Sequence, residues 1–115
     1  MIDFSKAPYI YWSDKTKLSY LQRRIIVYSI MYYEQNESCV SDKYYDSISS
    51  QLVKLQKECS KEELRSSEYY YAMYDFDGST GFDIPSRLTK HDREYLTRVA
   101  SYVYKQWKSN GKRRM

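Results

Sequence analysis

The residues best suited to binding chemistry cluster in one short stretch of the chain. Tyr32 and Tyr33 precede a polar turn. Asp42, Tyr45 and Asp46 follow it. Phenol rings offer flat faces for stacking, and carboxylates accept hydrogen bonds from hydroxyl and amide groups. Around a common gap, such side chains would hold a flat ring that is cationic or carries an amide, together with an attached sugar.

Helical periodicity brings these side chains to the same end of a helix pair. Apolar residues recur at spacings of three and four over about 15–35, after an N-cap at Ser13 or Asp14. Ser41 offers the next N-cap, and the same spacing continues over about 42–57. Because the connection is short, the two helices are expected to pack antiparallel. The end of the first helix then lies beside the start of the second.

Two further segments flank this pair. Residues 1–12 mix aromatic side chains with a proline, which predicts an extended arm. Ser60 begins a capping-box sequence, which predicts a short third helix to about Ser66. The aromatic-rich stretch 68–76 shows no clear helical period, so a small extended or β segment is expected there.

The last third of the chain predicts a long basic helix. Thr89 is its expected N-cap, within a helical region set at 85–110, and the basic tail 111–115 follows. The fold class is therefore expected to be mainly α. A chain of 115 residues supports one core, so residues 1–115 are expected to form a single domain.

Composition excludes several classes of protein. With 42% hydrophobic residues, three Gly and two Pro, the chain is neither disordered nor a collagen-like repeat. Fifteen of its residues are tyrosine. Cys39 and Cys59 are expected to be reduced thiols, and no apolar run reaches the length of a membrane span. We expect a cytoplasmic protein in a bacterial host cell, with no signal peptide.

The charge is unevenly distributed. Residues 85–115 carry nine basic and two acidic side chains, a net charge of +7 against +4 for the whole chain. Such a segment suits an acidic protein face or nucleic acid, although an ordinary solvated helix has the same pattern. The candidate contacts to an acidic partner are Arg93, Arg98, Tyr102, Lys105 and Lys108.

The stretch 32–46 resembles a known family, the N-terminal helical subdomain (subdomain Ia) of bacterial NAD-dependent DNA ligases. That family's pattern runs Tyr-Tyr or Tyr-His, a turn, then Ser-Asp-x-x-Tyr-Asp, and the chain reads YYEQNESCVSDKYYD. The resemblance extends from Leu18 to Glu58 within the expected hairpin 13–58. It departs from the family at Asn36, where Asp is usual, and at Ser38, where Pro is usual.

The resemblance implies a ligand and a role for each residue. In that family the subdomain grips the nicotinamide mononucleotide (NMN) half of NAD. Carried over by position, Tyr32 and Tyr45 would stack on the ring and Tyr33 would lie near the phosphate. Asp42 and Asp46 would make the polar contacts. The implied function is a module that binds NMN, NAD or a related nucleotide and requires no cofactor, in a phage or mobile-element accessory protein.

Catalysis is not expected. Ligase adenylation needs a lysine in a Lys-x-Asp-Gly motif and a much larger domain, and Asp75 stands where that lysine would be. The loop 75–80 otherwise fits neither a phosphatase nucleophile loop nor a calcium loop, and is expected to be a turn capped by its aspartates. His91 is the only histidine, so neither a metal site nor a triad is predicted.

Two alternatives remain open. The tyrosines of the hairpin can equally be core, with Asp42 and Asp46 as helix-start residues. The second functional hypothesis is an anti-defence inhibitor, anti-CRISPR-like, that docks on a host nuclease or its nucleic acid through the basic C-terminal helix. In that case the hairpin is only scaffold.

Overall fold

The computed structural model describes residues 2–111 and is mainly helical, as predicted. No strand occurs in that range. A turn of 3-10 helix, Tyr9–Tyr11, precedes six α-helices. In chain order these are α1 Asp14–Tyr33, α2 Asp42–Glu58, α3 Lys61–Ser66, α4 Tyr70–Met73, α5 Ile84–Arg87 and α6 Lys90–Ser109.

Four helices begin at the hydroxyl N-caps that the sequence predicts. In each case the side-chain oxygen accepts a hydrogen bond from the backbone N–H three residues further on, which satisfies one of the free donors of the first turn. The caps are Ser13 for α1, Ser41 for α2, Ser60 for α3 and Thr89 for α6.

Helix α1 lies at the centre of the fold, with α2 on one side and α6 on another. Ser29 of α1 contacts Tyr45 near the start of α2, whereas Gln22 contacts Gln56 near its end. The pair is therefore antiparallel, as expected. Because α1 is covered from more than one side, its buried residues do not form a single stripe: Leu18, Leu21, Gln22, Ile25, Ile26, Val27, Tyr28, Ser29, Ile30 and Met31.

Helix α6 crosses α1 instead of running alongside it. Arg23 near the middle of α1 donates to the Tyr95 hydroxyl at 3.0 Å, and Gln35 just beyond its end donates to the Ser101 hydroxyl at 2.9 Å. These two contacts thus lie twelve positions apart along residues 23–35 but only six apart along α6. Leu96 and Ala100 are the fully buried residues of α6.

The prediction of an extended or β segment near 68–76 is wrong. The chain there forms the single helical turn α4, with Tyr69, Ala72 and Met73 buried at spacings of three and four. Adjacent exposed tyrosines conceal this period in the sequence. The buried Gln22 amide holds the turn by accepting from Tyr69 N at 3.1 Å and donating to the Ser67 hydroxyl at 3.0 Å.

Two other boundaries differ from the prediction. The region set at 85–110 holds two helices, because Leu88 is extended and separates the short α5 from α6. The N-terminal arm is folded onto the domain: Tyr9 and Trp12 pack edge-on at 4.9 Å, and Trp12 packs on Tyr20 at 5.1 Å. Of the predicted basic tail, residues 112–115 lie outside the described residues.

Within residues 2–111, no helix combines the length and apolar character that crossing a membrane requires.

Candidate functional site

The five predicted binding residues line one cavity where α1 ends and α2 begins. Tyr32 and Tyr33 come from α1, and Asp42, Tyr45 and Asp46 come from α2. The cavity has a volume of about 290 Å³. We call it the tyrosine cavity. Its remaining lining residues are Tyr28, Ser29, Ser38, Val40, Ser41, Ser79 and Thr80.

Tyr45 forms the inner side of the cavity and is fixed by a hydroxyl chain. Ser29 Oγ donates to the Ile25 carbonyl at 2.7 Å, as helical serines often do. Its one hydrogen is thereby used, so the Tyr45 hydroxyl is the donor in the 2.9 Å contact with Ser29. Burial raises the pKa of Tyr45, and the hydrogen bond to Ser29 opposes this only in part.

Tyr32 and Tyr33 form the outer side of the cavity. Their rings meet edge to face, with centroids 4.8 Å apart, and Tyr32 is 56% exposed. Tyr33 Oη lies 3.1 Å from Thr80 Oγ1, and its ring packs perpendicular to the Phe82 ring at 5.5 Å. Tyr33 is thus held by several neighbours, whereas more than half of the Tyr32 surface is exposed.

Asp42 and Asp46 give the cavity a negative charge. They lie one turn apart at the start of α2 and are both exposed. Within residues 2–111 neither carboxylate has a hydrogen-bond or ion-pair partner, and no lysine or arginine lines the cavity. The positive end of the α2 dipole favours the charge on Asp42. The cavity therefore favours cations and hydrogen-bond donors.

A third wall, residues 79–81, completes the tyrosine cavity and was missed by the sequence reasoning. Ser79 and Thr80 line the cavity from the loop before α5. A Cβ on Gly81 would overlap both Ser29 Oγ and Tyr45 Oη, so only glycine lets the backbone lie this close. Gly81 itself was the available signal, but nothing in the sequence says what it packs against.

The loop that precedes this wall is a capped turn, as predicted. Asp77 Oδ1 accepts from Ser79 N at 2.9 Å and from Ser79 Oγ at 2.6 Å, and Gly78 adopts a φ of 86°. Asp75 forms an ion pair with Arg87. Across residues 2–111, no group of three or more His, Cys, Asp or Glu side chains is arranged to hold a metal ion.

The five candidate partner contacts on α6 do not line the tyrosine cavity, and they differ in availability. Arg93 is ion-paired with Glu34, and the Lys108 ammonium lies 5.5 Å from the centre of the Tyr104 ring. The other three are exposed and make no side-chain hydrogen bond, ion pair or ring interaction within residues 2–111: Arg98, Tyr102 and Lys105.

No protein-family model, curated protein or solved structure was found to match this chain.

Proposed function

We propose that the chain binds a nicotinamide nucleotide of the NMN or NAD type in the tyrosine cavity, without catalysing a reaction. The observation that carries the proposal is that phenol rings line one cavity together with two carboxylates that have no counter-ion within residues 2–111. The oxidised nicotinamide ring is flat and cationic, so it is attracted both to phenol faces and to negative charge.

The ring and the ribose of such a ligand have matching groups in the cavity. The ring is assigned to the space between Tyr32 and Tyr45. The ribose hydroxyls donate to Asp42 and Asp46, because an ionised carboxylate only accepts. The phosphate extends past Tyr33 towards solvent, since no cation lines the cavity. A volume of about 290 Å³ lies at the small end of ligand sites, which suits one ring and its ribose better than a whole dinucleotide.

Calorimetric titration of the full chain with NMN, NAD and ADP-ribose tests this proposal. We expect saturable binding of NMN and NAD, and much weaker binding of ADP-ribose, which lacks the cationic ring. Tyr45→Ala should abolish binding, and the double variant D42N/D46N should weaken it by about tenfold or more. Tyr74→Ala is the control. It removes a ring that is 56% exposed, like Tyr32, but lies outside the cavity, so the affinity for NMN and NAD should not change. No heat with millimolar NMN or NAD would refute the proposal.

A second candidate function is favoured by the surface of α6. Arg98, Tyr102 and Lys105 share one face, at spacings of four and three. Their exposure and lack of partners within the described chain suit an acidic partner. On this proposal the chain is an accessory inhibitor of host defence that contacts a nuclease or its nucleic acid.

Charge reversal separates the two functions. R98E/K105E should remove DNA binding or nuclease inhibition while leaving NMN binding intact, whereas Tyr45→Ala should do the reverse. Fluorescence anisotropy with a labelled DNA oligonucleotide measures the affinity at several salt concentrations. The slope of log affinity against log salt concentration gives the number of phosphate contacts. If the unaltered chain neither binds DNA nor inhibits a nuclease, the second function is excluded.

A further inference from the structure

A second cavity, of about 440 Å³, lies between α1 and α6 and has no part in either function above. We call it the valine groove. Val27, Val99 and Val103 give it an apolar surface. The other residues that line it are two arginines and two tyrosines, Arg23, Arg24, Tyr20 and Tyr28.

Arg24 stands at the edge of the valine groove inside a ring of phenols. Its Nη1 donates to Tyr20 Oη at 2.9 Å, and its Nη2 donates to Tyr28 Oη at 2.7 Å and to Tyr44 Oη at 3.1 Å. The guanidinium carbon also lies 5.4 to 6.0 Å from the centres of the same three rings. Three hydroxyl groups therefore meet at one cation.

The positive charge of Arg24 has no counter-ion among the described residues. The side chain is partly buried, and within residues 2–111 no carboxylate pairs with it. Burial opposes ionisation, but the surrounding phenols outweigh it and raise the pKa of Arg24, so the group stays charged. Arg24 Nε is in addition buried without any acceptor. A partly buried cation held only by neutral oxygens is under-compensated, since such charges are normally paired.

Two of the phenols around Arg24 also have a hydroxyl hydrogen that makes no hydrogen bond within residues 2–111. A phenol can accept one bond and donate another. Tyr28 and Tyr44 accept from Arg24, and neither donates to any group in the described part of the chain. Tyr28 is only 6% exposed, but it lines the valine groove, so a molecule bound in the groove can contact it. The Tyr28 and Tyr44 O–H groups and the second Nη1 hydrogen of Arg24 are thus hydrogen-bond donors that lie close together.

We propose that this cluster is an oxyanion-binding site for a small organic carboxylate or phosphate. The anion would accept from Arg24 and from the Tyr28 and Tyr44 hydroxyls, which are bonded to the same Nη2, and it would supply the negative charge that Arg24 lacks. The apolar body of the ligand would lie on Val27, Val99 and Val103. Arg23, which also lines the groove, adds a second positive charge at its rim. The site is independent of the nicotinamide proposal.

A matched set of probes tests the site on the full chain. Phenyl phosphate and benzoate combine an anion with a flat apolar body, whereas benzyl alcohol has the body alone and inorganic phosphate the anion alone. NMR titration should show saturable shifts for the first two, centred on Arg24 and on the valines of the groove. We expect benzyl alcohol and inorganic phosphate to bind about tenfold more weakly or worse. If phenyl phosphate binds more tightly than benzoate, the site prefers a phosphate; the opposite order shows a preference for a carboxylate.

Variants separate a binding site from a purely structural cluster. Tyr44→Phe keeps the ring but removes one donor, and should weaken binding of the anionic probes by about tenfold. Arg24→Gln should abolish it; should that variant not fold, Tyr44→Phe still decides. Tyr102→Phe removes an exposed hydroxyl outside the groove and serves as the control.

Three results would overturn the proposal. One is the absence of saturable shifts with both anionic probes at about 10 mM. Another is equal affinity for benzyl alcohol, which would make the groove merely apolar. The third is unchanged affinity in Tyr44→Phe, which would place the anion elsewhere.

Discussion

The Tyr45 hydroxyl donates a hydrogen bond to the Ser29 hydroxyl at 2.9 Å, and this bond joins α1 to α2 at the inner side of the tyrosine cavity. Ser29 is fully buried and already donates to Ile25, so its oxygen is an acceptor of fixed position. The bond fixes the tilt of the Tyr45 ring. Gly81 lies so close to both oxygens that a Cβ at this position would overlap them.

Removing that bond should weaken the fold only slightly. Tyr45→Phe keeps the ring and leaves Ser29 satisfied through Ile25, so we expect a loss of about 1 kcal/mol in the free energy of unfolding. Urea unfolding followed by circular dichroism measures it, with Tyr102→Phe as the exposed control. A loss above about 3 kcal/mol would mean that the Tyr45 hydroxyl supports more than this one bond.

Adding one methyl group at Gly81 should be costlier. Gly81→Ala would force its Cβ into Ser29 and Tyr45, so the third wall must move or the hydroxyl pair must separate. We expect a loss of about 1 to 3 kcal/mol in stability, together with weaker binding in the tyrosine cavity. Ser50→Ala, which places an alanine at an exposed position of α2, is the control for thermal unfolding. Wild-type stability in Gly81→Ala would show that the wall does not lie against Tyr45.

The hydroxyl cap of α6 offers a test of the helix boundaries. Thr89 Oγ1 accepts from Asp92 N at 3.2 Å, and Thr89→Ala leaves that donor without its partner. We expect a loss of about 1 kcal/mol. Thr89→Ser keeps the oxygen and should recover most of it. Equal stability of the Ala and Ser variants would show that the cap contributes nothing.

Stability should fall in strong alkali because several tyrosines are buried. Burial raises the pKa of Tyr28, Tyr45 and Tyr69 above the ordinary value of 10.0. The unfolded chain releases these protons near pH 10, whereas the folded chain retains them to higher pH. The free energy of unfolding is therefore unaffected by these groups below pH 10 and falls as the pH rises above it.

Urea titrations at several pH values check this dependence, and the tyrosinate absorbance gives the ionisation directly. Tyr45→Phe should make the alkaline decline shallower, because one of the three protons is no longer involved. A decline that is equally steep in this variant would assign the effect to other groups.

Local features of the fold could be predicted because their causes lie within a few residues of one another. A hydroxyl cap such as Ser41 or Thr89 acts on a donor three residues away, so it can be recognised from the sequence alone. The turn α4 could not be recognised in this way. Its helical form depends on burial of Tyr69 and Met73 in the core, and on Gln22 forty-seven residues earlier.

The candidate site likewise combines residues that could be predicted from the sequence with residues that could not. Its hairpin residues could be placed together because a short turn between two helices leaves few arrangements. The third wall could not, since Thr80 meets Tyr33 across forty-seven residues. Tyr20, Arg24 and Tyr28 show the spacing of four that puts them on one face of α1, but Tyr44 joins them only in the folded chain.

Tyr28 is the one lining residue that the tyrosine cavity and the valine groove share. A side chain that borders two cavities cannot shift for one occupant without altering the other's surroundings. If one occupant shifts Tyr28, the two ligands are coupled, and each changes the other's affinity by the same factor. Such coupling would make the affinity of the chain for one ligand depend on the concentration of the other.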